Sequence, residues 1–171
     1  MQIPLVMTVI GPDRTGLVEA LARTAAGHGG NWLESRMCRL GGEFAGILRV
    51  EVSPDKKAAL VGELQKISGL TVTVHSGETK ISTKNARETK MEIIGQDRPG
   101  IVREISAALA RAGVNVEEFS SEVVSGAMSG EALFKAYARL QLPESCDLLS
   151  LRMELEKIAA DLLVDVSFTE D

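Results

Sequence analysis

Along the chain the spacing of apolar positions changes in a set order, and that order runs twice. Ile3 to Ile10 is a short apolar run rich in β-branched residues, read as a strand with much of its surface buried. Leu17, Val18, Leu21 and Ala25 then recur at helical spacing, and Gly29 supplies a left-handed residue on which a helix can end. Trp32 to Leu40 and Phe44 to Val52 read as two strands joined at the turn signal Gly41-Gly42. Ser53, Pro54 and Asp55 predict an N-cap, a first-turn proline and an acid near the helix dipole. The helix they open runs to Ile67, with Leu60, Val61 and Leu64 inward, and Leu70 to Val74 closes the series as a fourth strand.

The second passage is a repeat of the first. Gly11-Pro12-Asp13-Arg14-Thr15-Gly16-Leu17-Val18 returns 84 residues later as Gly95-Gln96-Asp97-Arg98-Pro99-Gly100-Ile101-Val102. The match runs without a gap to Asn31 against Asn115 and Glu34 against Glu118, and 9 of 24 pairs are identical. Ile101, Val102, Ile105 and Leu109 repeat the helical stripe, which ends near Gly113. The hairpin Ser125 to Gly130 is longer by about four residues. A last helix is expected from Cys146 to Ala160 and a last strand from Leu162 to Phe168. Two copies of roughly 75–80 residues account for the length of 171. The expected organisation is a first domain at 1–76, a linker at 77–89 and a second domain at 90–171. The linker is polar, with Ile81 its only large apolar side chain, and cannot bury enough surface to fold alone.

The order β-α-β-β-α-β predicts an α+β protein made of two ferredoxin-like domains. Each should be a four-stranded antiparallel sheet with both helices on one face. The other face stays open, so packing between domains, or between chains in a homodimer, is expected.

Composition narrows the function. Hydrophobic residues make up 44% and aromatics only 4%, so the core must be aliphatic. The formal net charge is −5, distributed as +1 over residues 1–75, +2 over 76–90 and −8 over 91–171. A polybasic nucleic-acid arm and a cationic membrane surface are excluded, and the second half should repel DNA. No apolar run is long enough to span a bilayer, and the start lacks a secretory signal, which points to a cytoplasmic protein. Two cysteines and two histidines leave little for metal binding or acid–base catalysis. No cofactor is expected, and the chain reads as a non-enzyme.

The segment between the first strand and first helix carries the chemistry. Asp13 and Asp97 are placed to cap the helix. Gly16 and Gly100 let a ligand approach the backbone. Amides around Leu17, Val18, Ile101 and Val102 lie in a first turn, where N–H groups lack helical partners and the dipole is positive. That suits a small anion such as an amino acid's carboxylate. Asn31 and Asn115 begin the second strand, a helix length away, so they can meet such a loop only across a domain pair.

Gly-x-Asp-Arg-Thr/Pro-Gly-Leu/Ile-Val, an apolar helix and then Gly-x-Asn resemble the ACT domain, a regulatory module that commonly binds amino acids at domain interfaces. Two copies with a short linker and nothing else resemble the glycine cleavage system transcriptional repressor family over essentially the whole chain. The resemblance implies ligand contacts at Asp13, Gly16, Leu17, Val18 and Asn31, and at Asp97, Gly100, Ile101, Val102 and Asn115. It implies a sensor of glycine or another small amino acid that acts on a transcription activator by protein contact. The alternative is a regulatory subunit supplied in trans to an amino-acid or one-carbon enzyme. Thr15 stands where proline is usual, so the two loops need not be equivalent.

The remaining candidates have plainer readings. Cys146 near a helix start and Cys38 in a strand read as structural or incidental thiols, and His28 as a surface cap at a helix end. Glu117, Glu118 and Glu122 alternate with Val116, Phe119 and Val123 as a solvent-facing strand. Met128 and Met153 read as gap-filling apolar residues.

Overall fold

The computed structural model describes residues 1–75, 86–126 and 130–169. The chain divides into two compact units, Met1–Lys80 and Ile81–Asp171. The first contains β1 (Ile3–Pro12), α1 (Leu17–Gly27), β2 (Asn31–Leu40), β3 (Glu43–Val52), α2 (Lys57–Leu64) and β4 (Thr71–His75). The second contains β5 (Arg87–Gln96), α3 (Ile101–Arg111), β6 (Asn115–Ser125), β7 (Ala132–Leu142), α4 (Leu148–Leu162) and β8 (Val164–Thr169). Each unit is therefore βαββαβ, as its apolar pattern predicts. The strands form two antiparallel sheets of order β2-β3-β1-β4 and β6-β7-β5-β8.

Alternation along the strands decides what each unit buries. In β1, Leu5, Met7 and Val9 are buried, while Val6, Thr8 and Ile10 point to the opposite face. Leu17, Leu21 and Ala25 of α1 and Leu60 and Leu64 of α2 pack on the same side and complete one core. The second core repeats this with Met91 and Ile93 against Ile105, Leu109, Leu151 and Leu155. Each fully buried aliphatic side chain contributes about 1.5–3 kcal/mol by leaving water.

Two glycines fix how tightly the sheets close. A Cβ on Gly11 would lie 1.8 Å from the Gly69 carbonyl oxygen, and one on Gly95 would lie 2.5 Å from that of Leu163. No other residue lets the turn before the last strand sit against β1. Gly69 takes φ +79°, whereas its counterpart Leu163 is held at φ +55°, a left-handed conformation strained for a branched side chain.

Several local expectations are corrected. Ser53 does not cap a helix; its carbonyl accepts Lys56 N–H at 3.0 Å in a tight turn, and α2 starts only at Lys57. The proline's fixed φ serves that turn rather than the helix. Ile67 lies beyond α2 but packs on the core. The helix predicted from Cys146 starts at Leu148, because Asp147 caps it by accepting Leu149 N–H at 3.1 Å. Met153 is 65% exposed and fills no gap, while Met128 lies outside the described residues. The offset between the copies grows from 84 at Glu34 and Glu118 to 90 at Arg49 and Arg139, so the second hairpin is longer by six residues rather than four. Strand β5 opens at Arg87, inside the segment read as linker; most of that segment lies outside the described residues. Thr89 in it is buried and donates its hydroxyl to the Thr169 carbonyl at 3.2 Å.

Candidate functional site

The loops between β1 and α1, and between β5 and α3, have one backbone design. Gly16 and Gly100 are the N-cap residues, at φ +88° and +100°, so each helix begins directly from a left-handed glycine. The first backbone acceptors within the helices, the carbonyls of Gly16 and Gly100, take the N–H of Ala20 and Glu104, both at 2.9 Å. The intervening amides, from Leu17 to Glu19 and from Ile101 to Arg103, are the orphan donors of a first turn. Among the described residues no side chain caps either helix start. A Cβ placed on Gly16 or Gly100 would meet nothing within 4 Å, so the space over both mouths is open.

Asp13 and Asp97 are placed beside these mouths but do not cap them, contrary to the sequence expectation. Each instead fastens its loop through the backbone: Asp13 N–H donates to the Gly42 carbonyl and Asp97 N–H to that of Ala132, both at 2.9 Å. The Asp13 carboxylate turns to Arg39 on edge strand β2, with Nε 2.8 Å from Oδ2. The reason is strand register. Arg39 pairs with Phe44 near the end of β3 that also meets Pro12, which sets the guanidinium over the loop.

The two loops differ in charge. Val123 pairs with Phe134 as Arg39 pairs with Phe44, so the second loop has an apolar residue where the first has a cation. Asp97 makes no ion pair among the described residues. The equivalent arginines also diverge: Arg14 donates to the Ser68 carbonyl at 2.8 Å, and Arg98 to Gln96 Oε1 at 3.1 Å. Sequence reading missed Arg39 and Arg14; the signal for Arg39 was a cation on the strand just before the Gly41-Gly42 turn.

The other expected contacts fall into two groups. Leu17 and Ile101 are buried and belong to the cores, so only their backbone faces the loop. Val18 and Val102 are 48% and 43% exposed beside the mouths. Asn31 and Asn115 are exposed but lie at the far ends of the sheets. Asn31 pairs with Glu51, which pairs with Pro4, eight residues along β1 from Pro12. That is about 27 Å at strand rise. Asn115 repeats the relation through Gln141 and Glu88. The structure does not bring either asparagine to the loop of its own unit.

Of the two free thiols, Cys38 is exposed and Cys146 lies inside the second unit. Cys146 is buried, which pushes its thiol up; Arg87 opposes this and Asp147 adds to it. His28 sits at the α1 C-cap, with Nδ1 2.9 Å from the Thr24 carbonyl. Among the described residues no three His, Cys, Asp or Glu side chains group to hold a metal ion, and no helix is long and apolar enough to cross a membrane.

Comparison with known proteins matches the ACT domain twice, at residues 4–75 and 90–134. A UPF0237 protein of Methanopyrus kandleri is 39% identical over 75 residues, 43% of this chain and 77% of that protein. A structure of an unknown protein from Galdieria sulphuraria superposes with a TM-score of 0.90 at 25% identity, covering 100% of this chain and 99% of that one. A protein provisionally assigned as a glycine cleavage system transcriptional repressor superposes with a TM-score of 0.68 at 18% identity, covering 100% and 99%.

Proposed function

Since the chain belongs to the ACT-domain family and carries two copies in tandem, we propose that it is a non-enzymatic sensor of a small amino acid, glycine foremost. One observation carries this reading: both β1–α1-type loops end in an open, uncapped helix start behind a left-handed glycine. The ligand's carboxylate accepts N–H groups from the first turn, where the helix dipole favours negative charge. At the second loop Asp97 receives the ammonium; at the first, Arg39 neutralises Asp13, which favours the carboxylate. The glycines leave no side chain between ligand and backbone, which favours a ligand as small as glycine.

Sensing requires that the ligand prefer one arrangement of the protein over another. A Cβ at Gly16 or Gly100 would meet no described atom within 4 Å, and in this reading the rest of the enclosure comes from outside the unit that holds the loop. Occupancy thereby changes which surfaces a cytoplasmic homodimer offers to a protein partner, a DNA-binding activator of glycine cleavage genes. The resemblance of the motifs to that repressor family supports the choice of partner.

Isothermal titration of the full chain with glycine, serine and alanine tests the reading. Saturable heat with glycine is expected, reduced about tenfold or more in affinity by Val18→Asp with Val102→Asp. Those substitutions set a negative charge at exposed mouth positions without entering a core. No heat at millimolar ligand would overturn it.

A further inference from the structure

We propose that the open face of the first sheet is a docking site for an amphipathic helix of a partner protein, with a carboxylate on that helix meeting Arg49. This surface stands whether or not the loops take an amino acid.

The site is a strip along β1 and β3, the two central strands of the sheet, so it stays open whichever chain pairs with an edge. Val6, Thr8 and Ile10 lie on the side of β1 away from the helices, and Arg49, Ile47 and Ala45 stand opposite them on β3. Ile10 and Ile47 are 51% and 54% exposed, while Val6, Thr8 and Ala45 are partly buried. The second unit builds the same three rungs from Lys90, Glu92 and Ile94 opposite Arg139, Tyr137 and Lys135. Lys90, Glu92 and Lys135 suit a face in water. Val6, Thr8 and Ala45 stand in their places in the first unit, so the same backbone there carries a strip whose one charge is Arg49.

Arg49 sets the sign of the occupant. The Nε atoms of Arg49 and Arg139 are both shut off from water with no hydrogen bond. Arg139 is compensated by Glu117 at 3.3 Å and Glu118 at 3.8 Å. Arg49 makes no ion pair among the described residues, and Glu34, its register partner on β2, does not close on it. The difference lies at the β2 bulge, where Leu33, 41% exposed, stands in place of Glu117. A guanidinium partly withdrawn from water calls for a counter-charge, and an incoming carboxylate supplies it.

Spacing makes the occupant a helix. The rungs are about 7 Å apart and the three span about 14 Å. Residues one turn apart, at i and i+4, rise about 6 Å along a helix. Two apolar side chains at that spacing cover Ile10 and Ile47, and a carboxylate one turn further on reaches Arg49. α1 and α2 already pack on the other side of the sheet in such a layer. A second copy of the strip fits poorly, because its five other residues are neutral and bring no carboxylate to Arg49.

The test is fluorescence anisotropy of a labelled alanine-based helical peptide titrated with the full chain. The peptide carries two leucines one turn apart and a glutamate one turn beyond them. A version with lysine for the glutamate and one with a central proline, which breaks the helix, serve as controls. Saturable binding of the glutamate peptide is expected, weakened about tenfold by the lysine replacement and by Arg49→Gln. Arg49→Glu should reverse the preference toward the lysine peptide. Thr8→Glu with Ala45→Lys copies the second unit's residues onto the strip and should abolish binding with circular dichroism unchanged. No binding, equal binding of the proline peptide, or indifference to these substitutions would overturn the proposal. So would sedimentation showing a dimer that the glutamate peptide dissociates, which would give the face to a second copy.

Discussion

The carboxylate of Asp13 is 2.8 Å from Arg39 Nε, so a charge beside the first helix start is neutralised from an edge strand. The pair is partly exposed, and such pairs contribute about 0–1 kcal/mol. Arg39→Ala should therefore leave the urea midpoint almost unchanged. It should weaken glycine binding at the first loop, because an unpaired Asp13 then repels the ligand carboxylate. Val123→Arg should weaken binding at the second loop, because the new cation takes up the Asp97 carboxylate that receives the ammonium. Calorimetry on each variant separates the loops; equal affinities in all three proteins would contradict this account.

Gly16→Ala and Gly100→Ala should each destabilise by about 1–2 kcal/mol, the cost of a left-handed L-residue. The new methyl meets no atom within 4 Å, so the loss is conformational and not steric. By contrast, Gly11→Ala drives a Cβ into a carbonyl and should cost more than Gly95→Ala, where the approach is 2.5 Å instead of 1.8 Å. Urea unfolding of the four variants gives the ranking directly.

Leu163→Gly should raise stability by about 0.5–1 kcal/mol. Leu163 holds φ +55° and is 56% exposed, so glycine removes strain and gives up little buried surface. The reverse change at the matching turn, Gly69→Leu, should lower Tm. A Leu163→Gly variant that melts lower than the parent would show that the side chain contributes packing.

The architecture was legible because spacing alone separates strand from helix in both copies. Leu5, Met7 and Val9 alternate, and Leu17, Leu21 and Ala25 recur at a turn's spacing. The duplicated Asp-Arg-x-Gly segment located both loops, and the far position of Asn31 followed from helix length. What stayed hidden depends on contacts distant in sequence. Asp13 reads as a cap until the register of β2 brings Arg39 to it. Ser53 reads as a cap until a tight turn takes its carbonyl. The strain at Leu163 was invisible because the residue carries no turn signature, though Gly69 marks the same place in the first copy.

Cys146 and Asp147 respond to pH in opposite directions. The folded state holds the Cys146 proton more tightly than the unfolded chain, so that stability is present below the ordinary thiol range. It is lost as pH rises through the raised value, and Cys146→Val should remove this alkaline fall in Tm. Hydrogen bonds from Ser150 and Leu149 N–H hold the Asp147 carboxyl below its ordinary value. Its contribution is present above that ordinary value and disappears as pH falls through the lowered one. Asp147→Ala should therefore lower Tm near neutrality and make little difference in strong acid. A thiol reagent should modify exposed Cys38 at once and Cys146 only on unfolding.

Eight residues of strand separate each glycine mouth from the asparagine of its own unit. A molecule small enough to sit at one motif cannot stretch to the other. If both are to hold it, a separate surface must deliver the second. Where that surface is another copy of the chain, mass action makes saturation rise with the amount of protein as well as with the amount of amino acid, so the cell's dose of this polypeptide would itself set the threshold.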